Sequence, residues 1–267
     1  MSIFKRILGK DKPRAPEHHA LIMVMLPDGA TFSAKAAFEY LASHWSDLPS
    51  IVGHDLQDVA STANIPGGIV ALGNMPGPIP LGELTGLAAL SWHWPDAASA
   101  VASHRSHVIV HARSSALDAI DVKLLATKLA ASVVAVADGV GVYVGDAMLL
   151  RSGADYRSDA ESASRESLPI LCWVGFNLVR EQDGDGFSAY TTGLSSFGLL
   201  ELEVLRSKWP PAEVVSRLAD LANYQLSTGN VIRDGDTFGE SEFDRTQVSH
   251  RASTYIPGAT VAGLELS

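Results

Sequence analysis

The sequence predicts an α+β protein made of two packed α/β sandwich-like halves with mostly antiparallel sheets, the first half in the ferredoxin-like order βαββαβ. Three observations carry this. Between residues 20 and 111 short strand-like runs alternate with helix-spaced apolar runs in that order. Ile170 to Val179 and Phe187 to Thr192, both rich in β-formers, flank Asp183-Gly184-Asp185-Gly186, the composition of a tight hairpin turn. Ser115 to Val136 is apolar or alanine on nearly every side, as suits a helix buried between layers.

Residues 1–14 form a basic tail of net +4, which leaves −14 for the remainder. Ile3, Phe4, Ile7 and Leu8 share one side of a short helix, so a membrane-surface adaptor is one reading of this tail. The first half spans 15–150. Ala20 to Leu26, closed by Pro27-Asp28-Gly29, reads as a buried strand, and Ser33 caps a helix with Ala34, Ala37, Phe38, Leu41 and Trp45 at helical spacing. Ser50 to Asp55 and Gly67 to Leu72 are the next strands. Gly73 to Gly86, with three prolines and four glycines, reads as a long surface loop. Ser91 to Trp94 suits a strand edge, Pro95 to Ser103 a short helix, and Val108 to His111 a strand. The long helix opens in a capping-box arrangement of Ser115 with Asp118 and stops at Asp138-Gly139 before the alternating Val140, Val142 and Val144.

Arg151 to Ser167 is polar and serine-rich, and is read as a linker between the halves. The second half, 168–267, continues from the hairpin into Leu200, Leu202 and Val204 alternating with Glu201 and Glu203. A helix follows, opened by Pro210-Pro211 and stopped at Gly229. Thr260 to Leu266 reads as an edge strand, which makes a homodimer through that edge plausible.

A net charge of −10 and the lack of a basic stripe beyond residue 14 disfavour nucleic acid. The single cysteine, Cys172, excludes an intrachain disulfide. Apolar runs too short to cross a bilayer and the absence of a leader pattern point to the cytoplasm.

Candidate chemistry is sparse. His104, His107 and His111 converge only if their segment is helical, whereas Val108-Ile109-Val110 makes it a strand. In a strand, Trp92 and Trp94 anchor one face and His93 the other, a candidate binding surface beside the Gly73 to Gly86 loop. Cys172 sits in an apolar run where a thiol is inert. Asp183 to Gly186 and Asp234-Gly235-Asp236 read as turns, without the further ligands of a calcium loop. Gly193 to Gly198 is neither a nucleophile elbow nor a phosphate loop. No catalytic residue, cofactor or metal is therefore expected.

Trp173 and Phe176, Thr192-Gly193-Leu194, Phe197-Gly198, Glu201 and Glu203, and Asp234-Gly235-Asp236-Thr237 together resemble an uncharacterised bacterial family carrying the domain of unknown function numbered 4261. The likeness covers roughly the last 100 residues. It implies a bacterial cytoplasmic protein and brings no activity with it. The leading expectation is a non-enzymatic module that binds, and masks, a basic protein partner. Its surface would include Trp92, His93 and Trp94, the 73–86 loop, the hairpin turn, and the acidic run from Asp234 and Asp236 to Asp244. The alternative is an enzyme of unknown class with a pocket between the halves.

Overall fold

Apolar residues at alternate positions of β1 (His18–Leu26) bury Ala20, Ile22, Val24 and Leu26 on one side, with Met23 and Met25 on the other. The computed structural model describes residues 16–181, 184, 186–239 and 245–266. The basic tail and most of the 183–185 turn therefore lie outside the described residues. After β1 comes α1 (Ala34–His44), where Ser33 Oγ accepts a hydrogen bond from the Ala36 N–H at 3.3 Å.

β2 (Val52–Asp55), β3 (Ala60–Ile65) and β4 (Gly68–Met75) form an antiparallel meander. β3 escapes a reading by hydrophobicity because its inward positions include Ser61 and Ala63, small residues closed over by neighbours. The 73–86 stretch is not one loop. It finishes β4, crosses Pro76 to Pro80, and enters α2 (Leu81–Leu90), whose buried Leu84 and Leu87 outweigh the glycines at 82 and 86. Ser91 to Trp94 is a turn rather than a strand, and leads into α3 (Ala97–Ser103).

β5 (Ser106–Ser114) pairs with both β1 and β4, and α4 (Ala119–Ala137) follows. Its cap is Asp118, accepting from the Asp121 N–H at 2.9 Å, not Ser115. The Ser114 hydroxyl instead takes the N–H groups of Ala116 and Leu117, which delays the helix start. β6 (Gly141–Val144) and β7 (Leu149–Ser152) complete an all-antiparallel seven-stranded sheet in the order β2-β3-β4-β5-β1-β6-β7. The α+β class and mostly antiparallel sheets stand. The ferredoxin-like order does not, because β3 and a second helix are added before β5 and because β6 pairs with β1.

Residues 151–167 contain the end of β7 and α5 (Gly153–Glu161), whose Tyr156 and Ala160 are fully buried. Next come α6 (Ile170–Trp173), a single helical turn where a strand was expected, and β8 (Gly175–Arg180). The turn follows from Pro169, whose carbonyl accepts from the Cys172 N–H at 2.8 Å, and it drops Trp173 into the core with its Nε1 donating to Thr127 Oγ1 at 2.8 Å.

β9 (Phe187–Thr192) completes the expected hairpin with Arg180 opposite Phe187. β10 (Glu201–Ser207) and α7 (Pro211–Thr228) follow, the helix closed by Gly229 at φ 70°. β11 (Thr237–Phe238), β12 (Thr246–Ala252) and β13 (Thr260–Leu264) finish a six-stranded sheet in the order β11-β12-β13-β10-β9-β8. β13 is not an edge: it lies parallel to β10 and antiparallel to β12. The edge on which a homodimer was expected is thus occupied.

α4 packs on β1 and β5 with α1 beside it, and α7 packs on β8, β9 and β10. One cluster of buried apolar side chains runs from Ala20 to Leu266 through both sheets. A second, under α2 and α3, gathers Met25, Ile79, Leu84, Trp94, Val101 and Leu150 on the outer face of the first sheet. Among the described residues no helix is long and apolar enough to cross a membrane.

Candidate binding groove between the first helix and an edge strand

An apolar cavity lies where α1 ends. Phe38, Leu41 and Trp45 form its floor, because α1 turns these positions toward the sheet at helical spacing. Leu48, Pro49 and Ile51 form one wall, His54 and Leu56 the other, and Lys35, Glu39 and Ser46 the rim. The groove holds about 590 Å³, within the range of ligand and anchor-residue pockets. The His54 ring stands edge-on to Phe38 with centroids 4.8 Å apart.

The loop that forms the near wall is tied down by a buried cation. Lys128 of α4, 1% exposed, reaches out between α4 and α1 to both oxygens of Asp47, at 2.7 and 2.8 Å. Its ammonium also lies 6.0 Å from the centre of the Trp45 ring. The far wall is β2, the outermost strand of its sheet. Its pairing to β3 shifts between Val52 and Asp55, and Gly53 at φ 64° makes the shift possible: a Cβ there would stand 2.8 Å from Asn64 Nδ2. All four β2 residues are exposed, and Val52, Leu56 and Val59 are 56%, 44% and 71% accessible. Among the described residues the outer backbone edge of β2 is unpaired, and it adjoins an apolar trough with Asp55 and Asp58 beside them.

The other sites read from sequence disperse. Trp92 is 51% exposed and Trp94 8%, so the two tryptophans do not share a face. Trp92 Nε1 donates to the carbonyl of Phe176 at 3.0 Å, joining the α2–α3 turn to β8. His93 packs edge-on to Trp92 at 5.6 Å, and its Nδ1 is buried without a hydrogen-bond partner among the described residues. Burial, followed by the charge of Arg151, lowers its pKa. Asp234 and Asp236 are turn residues: Asp234 Oδ1 accepts from the His250 N–H and Asp236 Oδ2 from the Arg233 N–H, each at 2.7 Å. They adjoin β12 whereas Trp92 touches β8, four strand spacings away, or about 19 Å. The rest of the acidic run, 240–244, lies outside the described residues.

Each histidine of the 104–111 group has its own setting. His104 and His107 bond the backbone of residues 77–79, and His111 lies on the open outer face of β5 beside His19 and Arg113. Among the described residues no three His, Cys, Asp or Glu side chains are placed to hold a metal ion. Cys172 is fully buried, with Sγ 3.8 Å from the Tyr156 carbonyl, and burial pushes its thiol pKa far up.

A polar cleft of about 370 Å³ does open between the two sheets, lined by Glu17, His18, His19, Lys123, Asp146, Ser195 and Ser196. Several of its groups are already committed to structure. Lys123 is ion-paired with Asp146, and the Ser196 hydroxyl donates to the Gly193 carbonyl at 2.7 Å. No hydroxyl there has a base in hydrogen-bond reach among the described contacts, as an activated nucleophile requires.

Residues 190–265 match the family model Domain of unknown function (DUF4261). Comparison with curated proteins and with solved structures gives no match. The matched segment runs from β9 through β13, and Glu201 and Glu203 within it are structural clasps. Glu201 accepts from Thr191 Oγ1 at 2.8 Å and from the N–H groups of Gly193 and Ser195, both at 2.9 Å. Glu203, with no exposed surface, is bonded by Ser253, Thr254 and Arg251. The groove lies wholly outside the matched segment.

The groove was missed in the sequence because its floor residues read as ordinary core positions of α1. The available signal was Leu48 to Val59, where apolar residues recur among aspartates without strict strand or helix period.

Proposed function

We propose that this chain is a non-enzymatic protein-binding module that takes a basic partner into the α1–β2 groove and thereby masks part of that partner's surface. The observation that carries the reading is the adjoining of the free β2 edge and the apolar trough. An extended segment added to β2 gains main-chain hydrogen bonds, and every second side chain is then directed at Phe38, Trp45 and Ile51. Asp55, Asp58 and the overall charge of −10 favour a partner with Lys or Arg flanking the inserted apolar residue. The bulge at Gly53 and the shortness of β2 limit the edge to a brief register, as suits selective pairing rather than aggregation.

The test is site-specific photocrosslinking from Leu56, with Val231, 55% exposed on the second half, as the control position. The expected result is a discrete adduct with a basic protein from Leu56 and none from Val231. That adduct should weaken at high salt and disappear in Val52→Asp. Equal labelling from both positions, or an adduct indifferent to Val52→Asp, overturns the reading.

A further inference from the structure

The prolines at 76, 78 and 80 leave Gly77 and Ile79 as the only residues of the 76–80 connection with a backbone N–H. Ile79 gives its N–H to a side chain: it donates to Nε2 of His104 at 2.8 Å. The other ring nitrogen of His104, Nδ1, lies 2.6 Å from the carbonyl of Val101. These two contacts fix the proton. Nδ1 carries it and donates to Val101, while Nε2 is the bare acceptor, so the ring is neutral and in one tautomer. His104 is 1% exposed, and Ile79 equally so. His107 adds a second tie through Nδ1, 2.8 Å from the Gly77 carbonyl, a donor's role that imidazole and imidazolium both fill.

We infer that His104 is an acid-sensitive latch that holds residues 76–103, the α2–α3 cover, against the outer face of the first sheet. A proton added at Nε2 points an N–H at the Ile79 N–H and sets a charge in a buried site. Either the ring swings out or the 76–80 connection withdraws, and in both cases the Ile79 amide loses its buried partner. Among the described residues no carboxylate bears on the ring to compensate the charge. The groups that bear on the ring are His107 and Arg105, both cationic when charged, while Glu83 of α2 bears on Tyr143 instead. Burial first, and these two neighbours after it, lower the His104 pKa against the raising effect of the Val101 carbonyl. A histidine with a lowered folded pKa stabilises the fold fully above its unfolded value of about 6.5. That contribution declines as pH falls through 6.5 toward the folded value. What opens is the smaller core: Met25 and Leu150 lose the covering Ile79, Leu84, Leu87 and Val101. The uncovered patch is continuous with half-buried Met23 and Ile109 of the same sheet face.

The experiment is hydrogen–deuterium exchange on the full chain at pH 7.5 and 5.5, normalised for intrinsic exchange. Acid should raise exchange of the 79–103 amides about tenfold, with α4 amides unchanged. His104→Gln, which keeps an acceptor for Ile79 and cannot take a proton, should remove that response, and His107→Gln should retain it. A pH-independent cover in the wild type, or an equal response in His104→Gln, overturns the inference. Nitrogen-15 chemical shifts of the wild-type imidazole give a check without a variant: Nε2 must be unprotonated at pH 7.5, and a protonated Nε2 there overturns it too.

Discussion

Ser253 Oγ donates a 2.6 Å hydrogen bond to Oε2 of Glu203, a carboxylate with no exposed surface in the middle of a β-strand. Arg251 and the Thr254 N–H complete its shell, so the loop after β12 is closed on a charge carried by β10. Burial alone would raise the Glu203 pKa. The bonds from Ser253, Arg251 and Thr254 outweigh it and hold the carboxyl below its ordinary value.

Because that pKa is depressed on folding, the stabilisation is present above the unfolded glutamate value and is lost as pH falls through the folded one. Glu203→Gln is expected to cost about 2 kcal/mol at pH 7, in line with charge-assisted hydrogen bonds lost from a buried site. Urea denaturation at pH 7 and pH 3.5 checks it, since the difference between variant and wild type should shrink at the lower pH.

Asp47 and Lys128 predict an asymmetry. Asp47→Ala strands a buried ammonium and should cost about 2 to 3 kcal/mol, discounted from the fully buried case because Asp47 is itself half exposed. Lys128→Met keeps the volume without the charge and should be near neutral. In the double variant the cost of Asp47→Ala should vanish, a coupling that a double-mutant cycle measures directly. The quantum yield of Trp45 should change with Asp47→Ala, because the wall of the groove is released.

Gly193 stands at φ 109°, and a Cβ there would lie 2.3 Å from the Trp173 carbonyl. Its N–H also serves Glu201. Gly193→Ala should therefore cost about 3 kcal/mol, the upper range of single substitutions, whereas Gly198→Ala, at φ 74° with open space around it, should cost less than half of that. Thermal melts of the two variants side by side test the comparison.

Cys172 should resist thiol reagents in the native protein and react at the rate of global opening. A modification rate that does not follow denaturant stability would place the thiol in a locally mobile segment instead.

Much of the frame was legible in the sequence because local chemistry determined it. Ser33 caps α1, Pro210 and Gly229 bound α7, and the 170–192 region gives a hairpin by composition. What failed were places where a tertiary neighbour decided. The strand at Ala60–Ile65 has little apolar character of its own and is made by its pairing with β4. The glycines at 82 and 86 suggested a loop, but Leu84 and Leu87 find Met25 and Leu150 beneath them and the segment is helical. The groove combines α1 with residues 46–56 through Lys128, a contact separated by 81 positions. Residue type near Asp47 does not announce such a partner. Spacing argued against a metal site at the histidines of 104 and 107 but gave them no role, because their partners are backbone atoms 25 and 30 residues earlier.

The placing of β13 has a consequence for how the protein is made. Residues 260–264 lie between β10 and β12, so the central ladder of the second sheet is unavailable until they have been synthesised. While the ribosome is still working through 208–259, β10 has β9 on one side and a bare edge on the other, with Leu202 and Val204 awaiting neighbours. Assembly of that sheet is timed by the last strand to emerge, and a nascent chain stalled before residue 260 presents an open template for pairing with another chain.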